Sequence, residues 1–217
     1  MILNIETSTK NCSVALAHNG EVLAFKEMAD QGYSHAEKLH VYIANTLQLA
    51  DSNFSDLTAV AVSKGPGSYT GLRIGVSAAK GLCYALDIPL ISVDTLAVLA
   101  SQVKIESGKI IPMLDARRME VYSAVFDEKH QQIKEVQAEI LTEKSYQEIN
   151  EPLYFVGDCQ EKCQTVLKKS NFHFLPHFVF PSAKDMVQLS FYKFQKQEFE
   201  DVAYFEPFYL KDFMMVK

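Results

Sequence analysis

The chain has 217 residues, 48% hydrophobic and 22% charged, with a formal net charge of −6. That balance is one of a globular protein with a substantial core, and the absence of any apolar run near ~18 residues argues against a membrane helix. Net acidity also argues against a protein that grips nucleic acid alone, because phosphate binding needs a basic face, though a partner can supply one.

The chain opens directly on Ile2-Leu3-Asn4-Ile5, which reads as a strand and carries no signal-peptide pattern. Ser13–Ala17 and Glu21–Glu27 flank Asn19-Gly20, the strongest short hairpin signal. Ser34-His35-Ala36-Glu37 fits a capping box, and Leu39, Ile43, Leu47 and Ala50 then recur at helical spacing. A buried strand over Ala59–Val62 runs into Ser63-Lys64-Gly65-Pro66-Gly67-Ser68-Tyr69-Thr70-Gly71-Leu72-Arg73-Ile74-Gly75, a glycine-rich turn feeding a helix that extends to Leu86. Backbone N–H groups and the positive end of a helix dipole gather at such a turn, so Lys64, Gly65 and Gly67 are candidate phosphate-binding residues. The helix also carries Gly71, Gly75, Ser77, Ala78, Ala79 and Gly81, each interior glycine costing ~1 kcal/mol against alanine. Such density admits a close neighbour, which is either the protein's own sheet or a partner helix. Pro89–Val93 is a short strand, with Asp94 capping a helix from Thr95.

After a polar stretch at Ser101–Ser107 the order restarts. Ile110–Leu114, Val121–Phe126 and Val136–Leu141 read as strands, Thr142–Ile149 as a helix, and Leu153–Val156 as a strand. Glu161–Lys168 reads as a helix, Phe172–Phe180 contains a strand, and Ala183–Phe199 is a helix. Each half is thus β-β-β-α-β-α-β-α. The expected class is α/β, with two tandem ribonuclease-H-like domains, each a mixed five-stranded sheet with helices. The expected domains are 1–103 and 104–200, with a tail at 201–217 whose Phe205, Phe208, Tyr209, Leu210 and Phe213 are apolar enough to pack back on the body. Cys12, Cys83, Cys159 and Cys163 lack zinc spacing and read as reduced thiols of a cytoplasmic protein. Arg117 and Arg118 fall in a hairpin turn near Asp115 and Glu120, suited either to contact with tRNA or an acidic partner or to charge pairing within the turn.

Met1-Ile2-Leu3-Asn4-Ile5-Glu6-Thr7-Ser8, the glycine-rich turn, and Leu114-Asp115-Ala116-Arg117-Arg118-Met119-Glu120-Val121-Tyr122 together resemble the TsaB (YeaZ-like) family. Phe155-Val156-Gly157-Asp158 and Pro207-Phe208-Tyr209-Leu210 extend the likeness over the whole chain. The family comprises accessory proteins of bacterial tRNA threonylcarbamoyladenosine synthesis, within the acetate kinase–Hsp70–actin-like superfamily. The resemblance implies a non-catalytic subunit that binds and activates TsaD, with the ATPase TsaE joining the complex, tRNA met only through that complex, and a homodimer forming when the chain is alone. It also implies a partner interface on the first two helices of the first domain, at Leu39, Tyr42, Asn45, Leu49, Thr70, Arg73, Ile74, Ser77, Ala78 and Gly81.

Superfamily kinases hold phosphates on the first hairpin and the second glycine loop, which maps a degenerate site here onto Glu6, Thr7, Ser8, Lys64, Gly65 and Gly67. Glu6 replaces the usual aspartate, and only Gly157 stands where a Gly-Gly adenine turn is expected. No cofactor is therefore expected, beyond weak or interfacial nucleotide. Nor is a metal: the matching helix region Ile91–Leu99 has no histidine, His35 and His40 diverge by about 140° on a helix, and Pro176 interrupts His173 and His177. The rival readings are an ATP-dependent transferase or kinase using an interdomain cleft, and a metal-dependent glycoprotease-like peptidase.

Overall fold

A computed structural model describes residues 1–29 and 35–211. Ser34, the expected helix cap, and Phe213 lie outside the described residues. The chain divides into two compact units, Met1–Thr95 with Pro181–Lys217, and Leu96–Phe180.

In the first unit, β1 (Ile2–Glu6), β2 (Asn11–His18), β3 (Glu21–Ala29), β4 (Ala59–Gly65) and β5 (Leu90–Asp94) form a sheet of order β3-β2-β1-β4-β5. The β1–β2 and β2–β3 pairs are antiparallel, and β1–β4 and β4–β5 are parallel. Asn19 and Gly20 both take positive φ in the β2–β3 turn, as an Asn-Gly hairpin requires. Strand periodicity sends Leu3, Ile5, Val14, Leu16, Val60 and Val62 into one core, where they meet Leu39, Ile43 and Leu47 of α1 (His35–Leu49) and Val76, Ala79 and Cys83 of α2 (Tyr69–Leu86). The other face centres on Asn4, Ala15, Ala17, Ala59 and Ala61, with Ile2 and Ile91 beside them. Ala15 and Ala17 pack on Ala183 and Val187 of α5 (Ala183–Gln195), and the Ser190 hydroxyl donates to Asn4 Oδ1 at 2.6 Å.

The second unit repeats the topology: β6 (Lys109–Asp115), β7 (Glu120–Phe126), β8 (Gln132–Ile140), β9 (Leu153–Val156) and β10 (Phe172–Phe174) lie in the order β10-β9-β6-β7-β8. Its cores include Leu96 and Leu99 of α3 (Thr95–Ser101) on one side and Cys159 and Cys163, flanking and within α4 (Gln160–Val166), on the other. All four cysteines are buried and unpaired. The expected α/β class with two five-stranded mixed sheets is what the chain adopts.

Three expectations change. Thr142–Ile149 is a run of turns, because Tyr146 takes φ 63° and buries its ring, its hydroxyl bonded to the Glu139 carboxylate. The division at 103/104 also moves: α3 packs into the second unit's core from Leu96 onward. The assignment of 104–200 to one domain fails at its other end as well, because α5 lies on β1, β2, β3 and β5 of the first unit. The tail belongs to the first unit too, where Val202 and Phe205 pack on its core and Lys80 Nζ donates to the carbonyls of Ala203 and Phe205 at 3.1 and 2.9 Å.

Candidate functional site: the glycine loop, the first hairpin and the outer helix face

β1 and β4 are adjacent and parallel, so the β1–β2 loop and the β4–α2 loop emerge at the same edge of the sheet. They close directly on each other. Ser68 N donates to Ser8 O at 2.6 Å, and Thr7 Oγ1 donates to Gly71 O at 2.8 Å. Ser68 also caps α2, its Oγ accepting from Gly71 N at 3.3 Å. A Cβ on Gly71 would lie 2.1 Å from Thr7 O, and one on Gly75 would lie 2.2 Å from Thr7 Oγ1. Gly67 is as tight, 2.4 Å from Ser8 O. The glycines are therefore required by the protein's own first loop, and the Ser68 and Gly71 amides are already bonded within the chain.

The tail closes the same edge. Phe208 N donates to Lys64 O at 2.7 Å, and Gly65, at φ +114°, lies beneath Phe208 with no room for a side chain. The Tyr209 ring meets Tyr69 at 4.9 Å between centroids. Arg73 Nε donates to Tyr209 Oη at 3.2 Å while its guanidinium sits 4.1 Å from the Tyr69 ring centroid. Lys64 pairs with Asp94 at 3.2 Å. Both cations nearest the loop thus have partners within the unit. Replacing Tyr209 with alanine removes the hydroxyl and the ring stack together, so proteolytic cleavage within the tail segment Phe205–Lys211 should accelerate severalfold in a limited-proteolysis time course.

Behind the loop, Glu6 is fully buried. Its Oε1 accepts from Ser8 N at 2.6 Å, whereas Glu6 Oε2, Ser8 Oγ and Ser63 Oγ are buried with no hydrogen-bond partner among the described residues. Burial pushes the Glu6 carboxyl up to about 7, and the N–H that Ser8 donates to it only partly opposes that. A raised carboxyl favours the folded state while protonated, so this contribution is present at low pH and is lost as pH rises from about 4.5 to about 7. Glu6→Gln should abolish that loss: at pH 8 the variant should be more stable than the parent by on the order of 3 kcal/mol, with the difference shrinking toward pH 4.5 in thermal melts.

The donor set of one carboxyl and two hydroxyls suits a hard cation or a water, but the loop above it offers nucleotide phosphates neither free Ser68 and Gly71 amides nor an unpaired Lys64. Among the described residues no group of three His, Cys, Asp or Glu side chains converges to hold a metal. His35 bonds Thr9 O through Nε2 at 2.8 Å, and His173 stacks on Tyr154.

The expected interface residues separate by helix face. Leu39 is fully buried in the core and presents no surface, which removes it from that set. Tyr42, Asn45, Ile74 and Ala78 are half-buried, while Leu49, Thr70, Arg73, Ser77 and Gly81 are exposed. A Cβ on Gly81 would meet nothing within 4 Å. Two large apolar side chains on these helices are exposed but absent from the expected set, Val41 at 53% and Tyr84 at 86%. Helical spacing from Asn45 back to Val41, and from Ser77 and Gly81 on to Tyr84, is the signal that finds them.

A family model described as TsaD, tRNA N6-adenosine threonylcarbamoyltransferase, matches residues 29–214. The chain is 30% identical to the tRNA threonylcarbamoyladenosine biosynthesis protein TsaB of Escherichia coli (strain K12), over 97% of this chain and 94% of that one. Against a tRNA N6-adenosine threonylcarbamoyltransferase of Bacillus thuringiensis (strain Al Hakam) it is 36% identical, but over only 45% of this chain and 33% of that one. The solved structure of YeaZ from Pseudomonas aeruginosa superposes with a TM-score of 0.81 at 25% identity, covering 96% of this chain and 99% of that one. The family model spans most of the chain, but the individual transferase is matched over only a third of its length, whereas the Escherichia coli TsaB and the Pseudomonas aeruginosa YeaZ are matched over nearly their whole lengths; the chain belongs to the TsaB family.

Proposed function

We propose that this chain acts in tRNA threonylcarbamoyladenosine synthesis as a non-catalytic subunit that binds TsaD and biases it toward its competent conformation. A partner can shift such an equilibrium only by binding the two states unequally, so the function reduces to a surface. The observation that carries this reading is the closed loop edge. The first hairpin, the glycine turn and the tail satisfy one another, with Lys64 held by Asp94 and Arg73 by Tyr209. Meanwhile the outer stripe Thr70, Ser77, Gly81 and Tyr84 of α2, with Val41 and Leu49 of α1, is exposed. Small residues there let a second backbone come close, and the flanking Tyr84, Val41 and Leu49 supply apolar anchors. The same face serves a homodimer in the absence of TsaD, and TsaE joins the heteromer.

Reconstitution tests this. Purified chain, TsaD and TsaE, given unmodified tRNA and the threonylcarbamoyl-adenylate, should modify tRNA, whereas omission of this chain should reduce the yield at least 10-fold. Calorimetry of the isolated chain with Mg²⁺-ATP should give no micromolar binding. Micromolar binding with turnover by the chain alone would replace this reading with an ATP-dependent transferase or kinase.

A further inference from the structure

The β6–β7 connection holds Arg117 at φ 74° and Arg118 at φ 53°. Two consecutive non-glycine residues in the left-handed region cost backbone strain that glycine at either position would avoid. The strain is held in place by a dense set of bonds. Ala116 N donates to Glu120 O and Glu120 N to Arg117 O, both at 3.1 Å, and Arg117 N donates to Asp115 Oδ1 at 2.8 Å. Lys162 Nζ donates to the carbonyls of Arg118 and Glu120, each at 2.8 Å, and pairs with the Asp115 carboxylate. All three ammonium donors are thereby used. Asp158 Oδ1 accepts from Asp115 N at 2.8 Å.

The Asp115 and Asp158 carboxylates are thus engaged with Lys162 and with backbone, and among the described residues no ion pair within the turn includes the arginines. Both side chains are exposed, and neither guanidinium has a hydrogen bond or ion pair among the described residues. The flanking Ala116 and Met119 are half-buried, so the loop has no apolar anchor of the kind that centres a protein interface. What it presents is two free, planar, permanently charged forks on a rigid support, suited to phosphate oxygens.

We propose that the Arg117–Arg118 turn is a phosphate-contacting element for RNA, engaging the tRNA backbone once the complex has brought it near. The inference rests on the tRNA reading above. With a formal net charge of −6 the chain repels RNA at long range, so the turn adds contacts to a tRNA already recruited. Backbone contacts of this kind fix register and carry no sequence information.

The test is fluorescence anisotropy of a labelled unmodified tRNA transcript titrated with the assembled complex at several salt concentrations. Three forms of this chain are compared: parent, Arg117→Gly/Arg118→Gly, and Arg117→Lys/Arg118→Lys. The glycine pair should bind about 10-fold more weakly and lower the log–log salt slope by about 1.5, from 0.7–0.9 per phosphate. It should also melt a few degrees higher, because the strain is relieved. The lysine pair should keep the slope. An arginine turn with a purely structural role would move the melting temperature and leave the slope alone. An unchanged affinity and slope for the glycine pair overturns the proposal. So does loss of polyglutamate binding with tRNA binding intact, which would assign the turn to an acidic protein. Failure of the parent complex to bind tRNA at all would instead overturn the tRNA reading, and this proposal with it.

Discussion

Gly71→Ala should destabilise the first unit by about 3 kcal/mol, the upper part of the range for forced overpacking, and lower its melting temperature by roughly 6–12 °C. The added methyl would sit 2.1 Å from Thr7 O, a backbone atom of the buried hairpin next to Glu6. Neither partner is the end of a flexible side chain, so the helix start must separate from the hairpin. That separation would break the Thr7 Oγ1 to Gly71 O and Ser68 N to Ser8 O bonds. Gly81→Ala, on the same helix, is the internal control. Its Cβ enters open space, so it should gain about 1 kcal/mol from helix propensity. Opposite shifts from two Gly→Ala changes ten residues apart, read in parallel thermal melts, would separate a glycine needed by the chain's own packing from one left open on the surface. Equal losses from both would mean that the helix is packed on each side.

The second large effect concerns Gly81 and Ser77 as surface. Gly81→Arg places a long side chain in the exposed stripe, and Ser77→Glu adds charge to it. Each should weaken association with TsaD at least 100-fold, which is about 2.7 kcal/mol, without loss of thermal stability. Ser77→Glu should change stability by less than about 0.5 kcal/mol, as exposed substitutions do, and Gly81→Arg should raise it by up to about 1 kcal/mol, as loss of a helix-interior glycine does. Surface plasmon resonance with immobilised TsaD, paired with a melt of each variant, reads both numbers. A variant that loses binding only because it has unfolded would be exposed by the melt.

Much of the scaffold was legible in the chain. Asn19-Gly20 specifies its hairpin because both positions need positive φ, and strand and helix periods locate Leu3, Ile5, Leu39, Ile43 and Leu47 on facing surfaces. What periodicity does not encode is which sheet a helix will cover. The α5 residues Ala183, Val187 and Ser190 are small because Asn4, Ala15 and Ala17 come close from strands more than 160 residues earlier, and nothing local in Ala183–Gln195 signals that. Thr142–Ile149 has helical composition, but the turn there is set by Tyr146 reaching Glu139 and Ser123 across the strand pair.

The site was half legible for the same reason. Glycine spacing from Gly65 to Gly75 announces a close approach but not what approaches. A phosphate and the carbonyl of Thr7 make the same demand on a missing Cβ. Only the fold decides, by bringing Thr7 and Ser8 onto α2 and laying Phe208 over Gly65. The pairing of Arg73 with Tyr69 and Tyr209 is legible in part, since Tyr69 precedes Arg73 by one helical turn, whereas Tyr209 enters from the far end of the chain. The exposed diarginine turn shows the converse: Asp115 and Glu120 in sequence suggest local pairing, and it is Lys162, from α4, that takes up Asp115 instead.

Sedimentation velocity of this chain mixed with an equimolar amount of TsaD from the same organism bears most directly on the proposed role. A single heteromeric boundary with the parent chain, replaced by separate components with Gly81→Arg, is the expected result. Separate components with the parent chain, or a heteromer indifferent to Gly81→Arg, would contradict a subunit that works through the outer face of its first two helices.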